Sequence, residues 1–427
     1  MNAETVFNRY DIRGDYPAEI DEQFAERLGE AVGTWALRNG RGSVVVGRDT
    51  RDASEKTAPA FIDGVRSTGA NVVDIGIGPT DRVALAADHY GGTGAMVTAS
   101  HHAWERTGFK LLYEQGNGFT NEDLDAVQQL FESGDVEQGE GTLMREHHEF
   151  DEIYIEQLLA AVEELGIDRI DTRVRLDTAG AAGRTAVAVF DGVGATVQEH
   201  EWAEQPAPEP QATTRQQVVD RMDDADIAVG YDPDGDRVYA VHPETGRVDG
   251  DRLLYALAEI TGAETIVASV DTSPMVEELD AAVEYARVGD VFVAEKGIEV
   301  EADLLGEPNG HYAVPSFSWY NSGILASLLI AANADRLPEI LAAVDDYRSV
   351  RRTAVFDDAP ERDDAFDAMK TEIAEGFDVV SRVDGVKFEG SGITGLIRPS
   401  GTSPKLRGVF HTDVDSADIE AVADRFF

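Results

Sequence analysis

The sequence predicts three similar α/β domains with mixed sheets, followed by a smaller C-terminal α+β domain. The main evidence is a pattern that returns three times: "VVVGRDT" ends at Thr50, "VRLDT" at Thr178 and "IVASVDT" at Thr272. Each is a short β-branched apolar run closed by Asp-Thr, which is typical of a buried strand that passes into a turn and a helix. The length of 427 residues agrees, because domains of about 100–150 residues would give three or four in such a chain.

Each copy of the pattern continues in the same order. A second strand follows a helix, as "GANVVDIG" from residue 69, "GATVQEH" from 194 and "AAVEYARVGD" from 281. A third strand then runs into a polar loop, around Ser100, Asp232 and Glu307. This alternation of strands and helices indicates α/β units, and three copies indicate a repeated domain. The proline-rich "QPAPEPQATT" lies between the second and third strands of copy two, so we interpret it as a loop within that domain.

The last part of the chain, from about Tyr347, lacks the strand that ends in Asp-Thr. It contains a helical run, "DDAFDAMKTEIAEGF", then "GLIRPSGTSPKLRGVF" and a closing helix, which predicts a separate α+β domain. We therefore expect the domains at residues 1–145, 146–248, 249–346 and 347–427.

The composition excludes several classes of function. The formal net charge is -46 and the pI is near 4.3, so neither nucleic acid nor an anionic membrane is an expected partner, because phosphate backbones need a basic face. The absence of cysteine excludes disulfides, a thiolate nucleophile and zinc-thiolate clusters. An acidic surface with few lysines is typical of adaptation to high salt, where dense carboxylates keep a protein hydrated, and we expect a halophilic origin.

The sequence gives no sign of a membrane or secretory segment. The longest apolar run, "GILASLLIAA" from Gly323, is about half a membrane span. The start, "MNAETVFNRYDIRG", does not have the basic region and apolar region of a signal peptide. Since 42% of the residues are apolar, the chain can still build ordinary cores. We expect a soluble cytoplasmic protein.

The loop "DPDGDR" places Asp232, Asp234 and Asp236 at the end of the third strand of copy two. Alternate side chains of an extended strand end point to one side, so we expect the three carboxylates to converge, and Gly235 permits the sharp turn needed to wrap a cation. An EF-hand is excluded, because its sixth and twelfth positions must be Gly and Glu and are Arg237 and Pro243 here. Three hard oxygens suit Mg²⁺. We therefore predict one Mg²⁺ site, with Arg237 as a phosphate contact beside it.

The loop "TASHHAWERTGFK" is the second candidate. It contains Ser100 and His101 and ends at Lys110. A hydrolase triad has little support, because the Gly-x-Ser-x-Gly motif is absent. Two interpretations remain: an ordinary surface loop, or a phosphorylated Ser100 that faces the aspartate-bound metal.

Two further loops carry groups for phosphate and hydroxyl recognition. "GEPNGHY" offers Glu307 and Asn309, natural partners of sugar hydroxyls, and His311, which can carry a proton; a satisfied turn is the alternative. "RPSGTSPKLR" combines small hydroxyl residues with cations around a glycine, which favours phosphate binding, but it is not a Walker loop because Gly-Lys-Ser/Thr is absent. Its candidate residues are Arg398, Ser400, Gly401, Thr402, Lys405 and Arg407.

With these four loops in this order, the chain resembles the α-D-phosphohexomutase superfamily, and within it the phosphomannomutase/phosphoglucomutase branch. The resemblance runs from "YDIRG", residues 10–14, to "RPSGTSPKLR", and "DPDGDR" and "RPSGT" are its specific motifs. It implies that the four domains surround a central cleft. Three positions depart from the family's pattern: His102-Ala103 replaces the usual Asn-Pro, Thr107 replaces an Asn, and Ser403 stands where a Glu is common.

The resemblance implies an intramolecular phosphotransferase, dependent on Mg²⁺, that interconverts the 6-phosphate and 1-phosphate of mannose or glucose. The phosphoryl group would pass through a phosphoserine and a sugar bisphosphate, which also acts as the activator. The partner would be a small phosphosugar, and the protein a monomer or homodimer. The alternatives are a phosphoglucosamine mutase, which "VGD" at 288–290 favours, and a non-catalytic phosphosugar-binding paralogue. A phosphatase with Asp232 as nucleophile leaves Ser100 unexplained.

The resemblance also implies a role for each residue of these loops. Ser100 would be the phosphoserine, and its phosphate would bind Mg²⁺ together with Asp232, Asp234 and Asp236. The transferring group would be surrounded by Arg13, His101, Lys110 and Arg237. Glu307 and Asn309 would hold sugar hydroxyls, with His311 as a proton carrier. The distal phosphate would be bound by Arg398, Ser400, Gly401 and Thr402, helped by Lys405 or Arg407.

Overall fold

Three of the four β-sheets formed by the described residues share the strand arrangement of the repeat. The computed structural model describes residues 6–8, 11–210, 214–222, 224–400, 403–415 and 417–427. In each copy the first strand lies between the second and third strands and is parallel to both, and a fourth strand is antiparallel to the third. The prediction of three similar α/β domains with mixed sheets is confirmed.

The first sheet adds one strand at each edge of this shared arrangement. Its strands are β1 (Ile12–Asp15), β2 (Ser43–Arg48), β3 (Asn71–Ile77), β4 (Thr93–Val97), β5 (Arg106–Leu112) and β6 (Leu143–Arg145), and its helices are α1 (Glu22–Arg38), α2 (Asp52–Ser67), α3 (Thr80–Tyr90) and α4 (Asn121–Ser133). The order across the sheet is β1-β5-β4-β2-β3-β6. The loop that follows β4 therefore starts from the interior of the sheet.

The second sheet shares a core with both of its neighbours. Its elements are α5 (His147–Glu164), β7 (Arg173–Asp177), α6 (Ala186–Gly192), β8 (Thr196–Glu199), α7 (Gln216–Val219), β9 (Ile227–Tyr231), β10 (Val238–His242) and β11 (Gly246–Val248), in the sheet order β11-β10-β9-β7-β8. Helix α5 packs against both β3 and α6, and one apolar cluster runs through the first three domains. The domain boundaries given above stay a prediction.

The third sheet is the smallest copy, in the order β13-β12-β14-β15. The apolar run noted in the sequence is its helix α10, which is buried along almost its whole length, so its apolarity reflects packing inside the protein. No helix among the described residues combines the length and apolarity needed to cross a bilayer. The elements are α8 (Gly250–Thr261), β12 (Thr265–Ser269), β13 (Ala282–Ala286), α9 (Asp290–Val300), β14 (Leu304–Gly306), β15 (Tyr312–Ala313), α10 (Gly323–Ala332) and α11 (Leu337–Ala342).

The C-terminal domain has the predicted α+β architecture. Its sheet is entirely antiparallel, in the order β16-β20-β19-β18-β17, and two helices pack on it around an aromatic core that includes Phe388, Phe410 and Phe426. The elements are β16 (Arg348–Val355), α12 (Ala359–Gly376), β17 (Asp378–Ser381), β18 (Val386–Gly390), β19 (Ile393–Pro399), β20 (Lys405–Thr412) and α13 (Ile419–Phe426).

Helices α1 and α2 pack with their backbones in contact. A Cβ atom on Gly29 would lie 2.1 Å from the carbonyl oxygen of Phe61, and one on Gly64 would lie 2.0 Å from that of Glu26. Such distances are far below van der Waals contact, so the crossing needs glycine on both helices.

We predict that Gly64→Ala destabilises the first domain, because the added methyl group forces the two helices apart. Overpacking of this kind costs about 1–3 kcal/mol, which lowers the unfolding temperature by about 2–10 °C in a domain of this size. Differential scanning calorimetry measures the change. Gly42→Ala is the control, since nothing lies within 4 Å of a Cβ at that exposed position. Equal unfolding temperatures for the two variants would contradict the prediction.

Candidate active site

A cavity of about 400 Å³ lies where the four domains meet. Ser100, Arg237, His311 and Arg398 line it, and each comes from a different sheet. Ligand sites in open α/β sheets gather at the carboxyl ends of strands. The polar loops that follow the third strand of each copy accordingly meet at this one cavity.

Ser100 follows β4 in a left-handed backbone conformation, with φ of 49°. This conformation is uncommon for residues other than glycine and is often found at functional turns. The backbone N–H of Ser100 donates to Thr98 Oγ1 at 2.8 Å, which holds the turn. The Ser100 hydroxyl donates to Asp232 Oδ2 at 2.9 Å. The serine loop and the aspartate loop are therefore in direct contact.

A buried ion pair holds the rest of the serine loop. Arg51 Nε lies 2.9 Å from Asp49 Oδ2, and both side chains are fully buried. The guanidinium donates to the carbonyl oxygens of Ala103 at 2.6 Å and His102 at 2.7 Å, and also to that of Ser100. A planar guanidinium with five N–H donors can hold several carbonyl groups at once. The Asp-Thr motif of the first copy thus anchors the serine loop through Arg51.

Two further residues fit this loop into its surroundings. The hydroxyl of Thr107, one of the positions that depart from the family's pattern, is buried 3.5 Å from Ser54 Oγ. Trp104 Nε1 donates to the carbonyl oxygen of Pro206 at 2.8 Å, and its ring lies 4.9 Å from the Arg51 guanidinium. The proline-rich loop of the second domain therefore packs on the serine loop.

The three aspartates of "DPDGDR" are brought together by a turn. Strand β9 ends before them, and the N–H of Gly235 donates to the carbonyl oxygen of Asp232 at 3.1 Å. Gly235 has a φ of 70°, which glycine adopts without strain. The sharp turn expected at Gly235 is present, whereas the expected extended strand end is not, because β9 ends at Tyr231. One oxygen from each carboxylate nevertheless lies within 4.8 Å of the others.

This turn fits a divalent metal ion. All three aspartates are fully buried, and Asp234 Oδ1 has no hydrogen-bond partner among the described residues. Lys110 Nζ lies 2.7 Å from Asp234 Oδ2 and 2.5 Å from Asp236 Oδ2, so the surroundings stabilise positive charge. Buried carboxylates are costly unless they are paired or coordinate a metal, and hard divalent cations prefer oxygen ligands.

The three carboxylates differ in their electrostatics. Burial, together with the charges of Asp234 and Asp236, raises the pKa of Asp232 well above its ordinary value. Burial also opposes the charge of Asp236, but Lys110 and His311 hold its pKa well below the ordinary value. Burial opposes the charge of Lys110, yet Asp234 and Asp236 raise its pKa well above the usual range. Asp232 is therefore the carboxylate whose charge the surroundings compensate least, and a further cation beside it would favour its charged form.

His311 connects the third domain to this cluster. Burial disfavours its charge, but Asp236 raises its pKa to about 9. His311 Nε2 lies 3.3 Å from Asp236 Oδ1 and 3.0 Å from Arg237 Nε, and Nδ1 lies 3.1 Å from Glu307 Oε2. The charged ring donates to both carboxylates, whereas the neutral ring accepts from Arg237. One nitrogen therefore has a partner in either protonation state.

The other predicted residues differ in how they face the cavity. Arg13, His101, Asn309 and Arg407 line it, and burial, with Arg237 and Arg13 nearby, keeps the pKa of His101 well below its ordinary value. Ser400 and Lys405 do not line it: Ser400 is buried in a turn, and Lys405 faces a neighbouring cavity of about 460 Å³. Gly401 and Thr402 lie outside the described residues.

Sequence reasoning missed three residues of this region. Arg51 could have been singled out, since the charged residues Asp49 and Arg51 directly follow a buried strand, which is unusual. Tyr320 gave none: its hydroxyl lies 3.3 Å from Asp236 Oδ2, although the two residues are 84 positions apart. Glu209 gave none either, and its carboxylate lies 3.8 Å from Arg237 Nη1.

Comparison with known proteins agrees with this geometry. Models of the phosphoglucomutase/phosphomannomutase family match residues 4–138 (alpha/beta/alpha domain I), 249–346 (alpha/beta/alpha domain III) and 333–427 (C-terminal domain). A Methanococcoides burtonii protein named "Probable phosphoglucosamine mutase" is 31% identical over 99% of this chain and 97% of its own. A Thermococcus kodakarensis "Phosphoglucomutase/phosphomannomutase" is 30% identical over 94% and 93%. The crystal structure of a phosphoglucomutase/phosphomannomutase family protein from Burkholderia thailandensis has a TM-score of 0.87 and 25% identity, over 100% of this chain and 97% of that one.

We predict that the aspartate turn binds a divalent cation and that Asp234→Asn weakens the binding. A ligand at about 100 times its Kd stabilises the folded state by about 2.7 kcal/mol. Mg²⁺ added to chelator-treated protein should therefore raise the unfolding temperature of the parent and much less that of Asp234→Asn. Calorimetry with and without Mg²⁺ measures this. Asp191→Asn, at an exposed position of α6, controls for diffuse binding to surface acids. Equal shifts for the parent and Asp234→Asn would rule the site out.

Proposed function

Because this chain belongs to the phosphoglucomutase/phosphomannomutase family, we propose that it is a Mg²⁺-dependent phosphohexomutase that interconverts hexose 6-phosphates and hexose 1-phosphates. Mannose and glucose phosphates are the proposed substrates. One observation carries the proposal: the Ser100 hydroxyl donates to Asp232 at 2.9 Å, inside a cavity that Arg398 and Arg407 of the C-terminal domain also line. A nucleophile beside buried acids, together with basic residues from another domain, suits a substrate with two phosphate positions.

Ser100 is the proposed carrier of the phosphoryl group. The bond between phosphorus and Ser100 Oγ breaks as a bond to a sugar hydroxyl oxygen forms, and the hydroxyl proton passes to a base. Phosphoryl transfer depends mainly on positioning and charge neutralisation. Lys110, Arg237 and Arg13 carry positive charge near Ser100. The three aspartates and the Ser100 phosphate would hold Mg²⁺, which would supply further positive charge to the transferring group.

His311 is the proposed proton carrier. Its Nε2 atom has a partner in both protonation states, Arg237 for the neutral ring and Asp236 for the charged ring. General acid–base groups work best when both forms are accessible. Glu307, which pairs with Nδ1, keeps the ring in place and, with Asn309, offers oxygen and nitrogen atoms for sugar hydroxyls.

The reaction requires the substrate to turn around within the cavity. The sugar bisphosphate formed halfway carries a phosphate at each end, and the second phosphoryl group returns to Ser100. Free sugar bisphosphate would phosphorylate Ser100 and so act as the activator. The distal phosphate is assigned to Arg398 and Arg407, with Ser400, Gly401, Thr402 and Lys405 completing the loop. Either phosphate of the bisphosphate can bind to a group of basic residues of this kind. This binding site for the distal phosphate, the clamp, therefore permits both orientations of the sugar.

A phosphoglucosamine mutase is the second candidate. Several relatives carry that name, including the one from Methanococcoides burtonii. The segment Val288-Gly289-Asp290 lines the cavity, and the N–H of Gly289 donates to Glu307 Oε1 at 2.8 Å. The carboxylates of Asp290 and Glu307, which both line the cavity, would favour binding of the ammonium group of an amino sugar. Turnover of the 1-phosphates of mannose, glucose and glucosamine, with a trace of each bisphosphate, separates the two candidates and also a non-catalytic paralogue, which would convert none.

We also propose that the enzyme works in a salt-rich cytoplasm, in keeping with a net charge of -46. High salt screens the repulsion among surface carboxylates and shortens the range of attraction between the cavity and its dianionic substrate. Kinetic measurements on this protein therefore belong at molar KCl.

We predict that Ser100 carries a phosphoryl group in the active protein. Intact-mass and peptide mass spectrometry should find one phosphate, on Ser100, after treatment with sugar bisphosphate. Ser100→Ala should lose almost all turnover, because the carrier oxygen is gone. Ser67→Ala, a half-buried serine on α2 outside the cavity, should keep it. Ordinary turnover by Ser100→Ala would refute the phosphoserine mechanism.

We predict that Arg398→Ala lowers kcat/KM on the order of 10²-fold, equal to about 2.7 kcal/mol of transition-state stabilisation. Loss of a clamp that binds substrate and transition state alike raises KM, and kcat also falls if distal binding drives domain closure. Steady-state kinetics measures both. Arg382→Ala, at an exposed position in the same domain, is the control. If Arg398→Ala matched Arg382→Ala, the clamp would have to lie elsewhere.

A further inference from the structure

The start of helix α3 in the first domain contacts the aspartate turn of the second. The backbone N–H of Thr80 donates to the carbonyl oxygen of Asp234 at 2.9 Å, and the Thr80 hydroxyl donates to Asp234 Oδ2 at 3.0 Å. Both residues are fully buried. One threonine therefore holds both the backbone and the side chain of one residue of the turn.

This contact distinguishes the two oxygens of the Asp234 carboxylate. Oδ2 accepts from the Thr80 hydroxyl and from Lys110 Nζ. Oδ1 is buried and has no hydrogen-bond partner among the described residues. An unpaired, buried carboxylate oxygen is costly. Because Oδ1 accepts no hydrogen bond from the described residues, the orientation of the carboxylate depends on the two bonds to Oδ2, of which the one from the Thr80 hydroxyl comes from a neutral donor.

The packing around Thr80 leaves this arrangement little freedom. A Cβ atom on Gly235 would lie 2.9 Å from Pro79 Cβ, so the turn fits closely against the residue before Thr80. The N–H of Gly323 donates to the carbonyl oxygen of Gly235 at 3.1 Å from the other side. Asp81, next to Thr80, is fully buried and accepts from the hydroxyl of Tyr154 at 2.8 Å. The turn is thus clamped between the first and third domains.

We propose that Thr80 is a positioning residue for metal binding: its hydroxyl holds Asp234 Oδ2 so that Oδ1 is presented to the ion. The inference rests on the proposed metal site. It goes further, because a residue of the first domain, the domain that carries Ser100, then helps to determine how tightly the aspartates of the second domain bind the metal. Partners that orient a metal ligand typically change metal affinity by about 10–100-fold when they are removed.

Binding of Mn²⁺ to the full chain at molar KCl, followed by the electron paramagnetic resonance of free Mn²⁺, tests the proposal without an activity assay. Thr80→Val keeps the shape and the backbone bond but loses the hydroxyl, and its Kd should rise by about 10–100-fold. Thr80→Ser keeps the donor and should stay within about threefold of the parent. Thr57→Val is the matched control: it removes a fully buried hydroxyl of the same domain, which bonds the carbonyl oxygen of Ala53 at 2.9 Å. Its Kd should equal that of the parent.

The outcomes separate this inference from the proposed function. If the parent binds Mn²⁺ and Thr80→Val binds it with the same Kd, Thr80 has only a structural role and the inference fails alone. If the parent binds no Mn²⁺ at the aspartates, the metal site and the inference fail together. Should Thr80→Val not fold, Thr80→Ala, which removes the hydroxyl without adding a methyl group, supplies the comparison. Equal losses of affinity in Thr80→Ser and Thr80→Val would also overturn the proposal.

Discussion

The interaction on which the structure depends is the burial of three aspartate carboxylates in one turn. Like charges at this distance oppose one another, and burial adds a cost of several kcal/mol per ion. Ion pairs and hydrogen bonds from other domains offset that cost: Lys110 and Thr80 belong to the first domain and His311 to the third. The relative positions of the three α/β domains are therefore tied to the electrostatics of this turn. The shared apolar core of these domains adds to the same arrangement.

Basic residues are concentrated at the cavity of an otherwise strongly acidic protein. The chain has 36 basic and 82 acidic residues, yet Arg13, Lys110, Arg237, Arg398 and Arg407 all line one cavity. A cavity with low-dielectric walls concentrates the field of such a group. Under the proposed function, these cations would allow a dianionic phosphosugar to enter a protein that has a strongly negative net charge.

The sequence predicted the architecture well because the repeat has a strong local signal. In each copy, Asp-Thr marks the end of the first strand and a polar loop follows the third. Parallel topology then brings those loops together. The details that failed depend on longer-range contacts. The turn at Gly235 is as expected, but the aspartates follow the end of β9 instead of forming part of it. Thr80 acts across 154 positions and leaves no recognisable motif. Arg51 acts on backbone carbonyls, a role that its charged pair with Asp49 indicates only in part. Ser400 stays a prediction for phosphate binding: it lies in a buried turn and does not line the cavity.

We propose that residues from three domains build one divalent-cation site beside Ser100. Anomalous diffraction from crystals of the full chain soaked in Mn²⁺ tests it most directly. We predict one strong anomalous peak among Asp232, Asp234 and Asp236, adjacent to Ser100, at the oxygen distances of about 2.0–2.6 Å usual for hard divalent cations. Peaks confined to surface carboxylates, with none at these three aspartates, would contradict the proposed site.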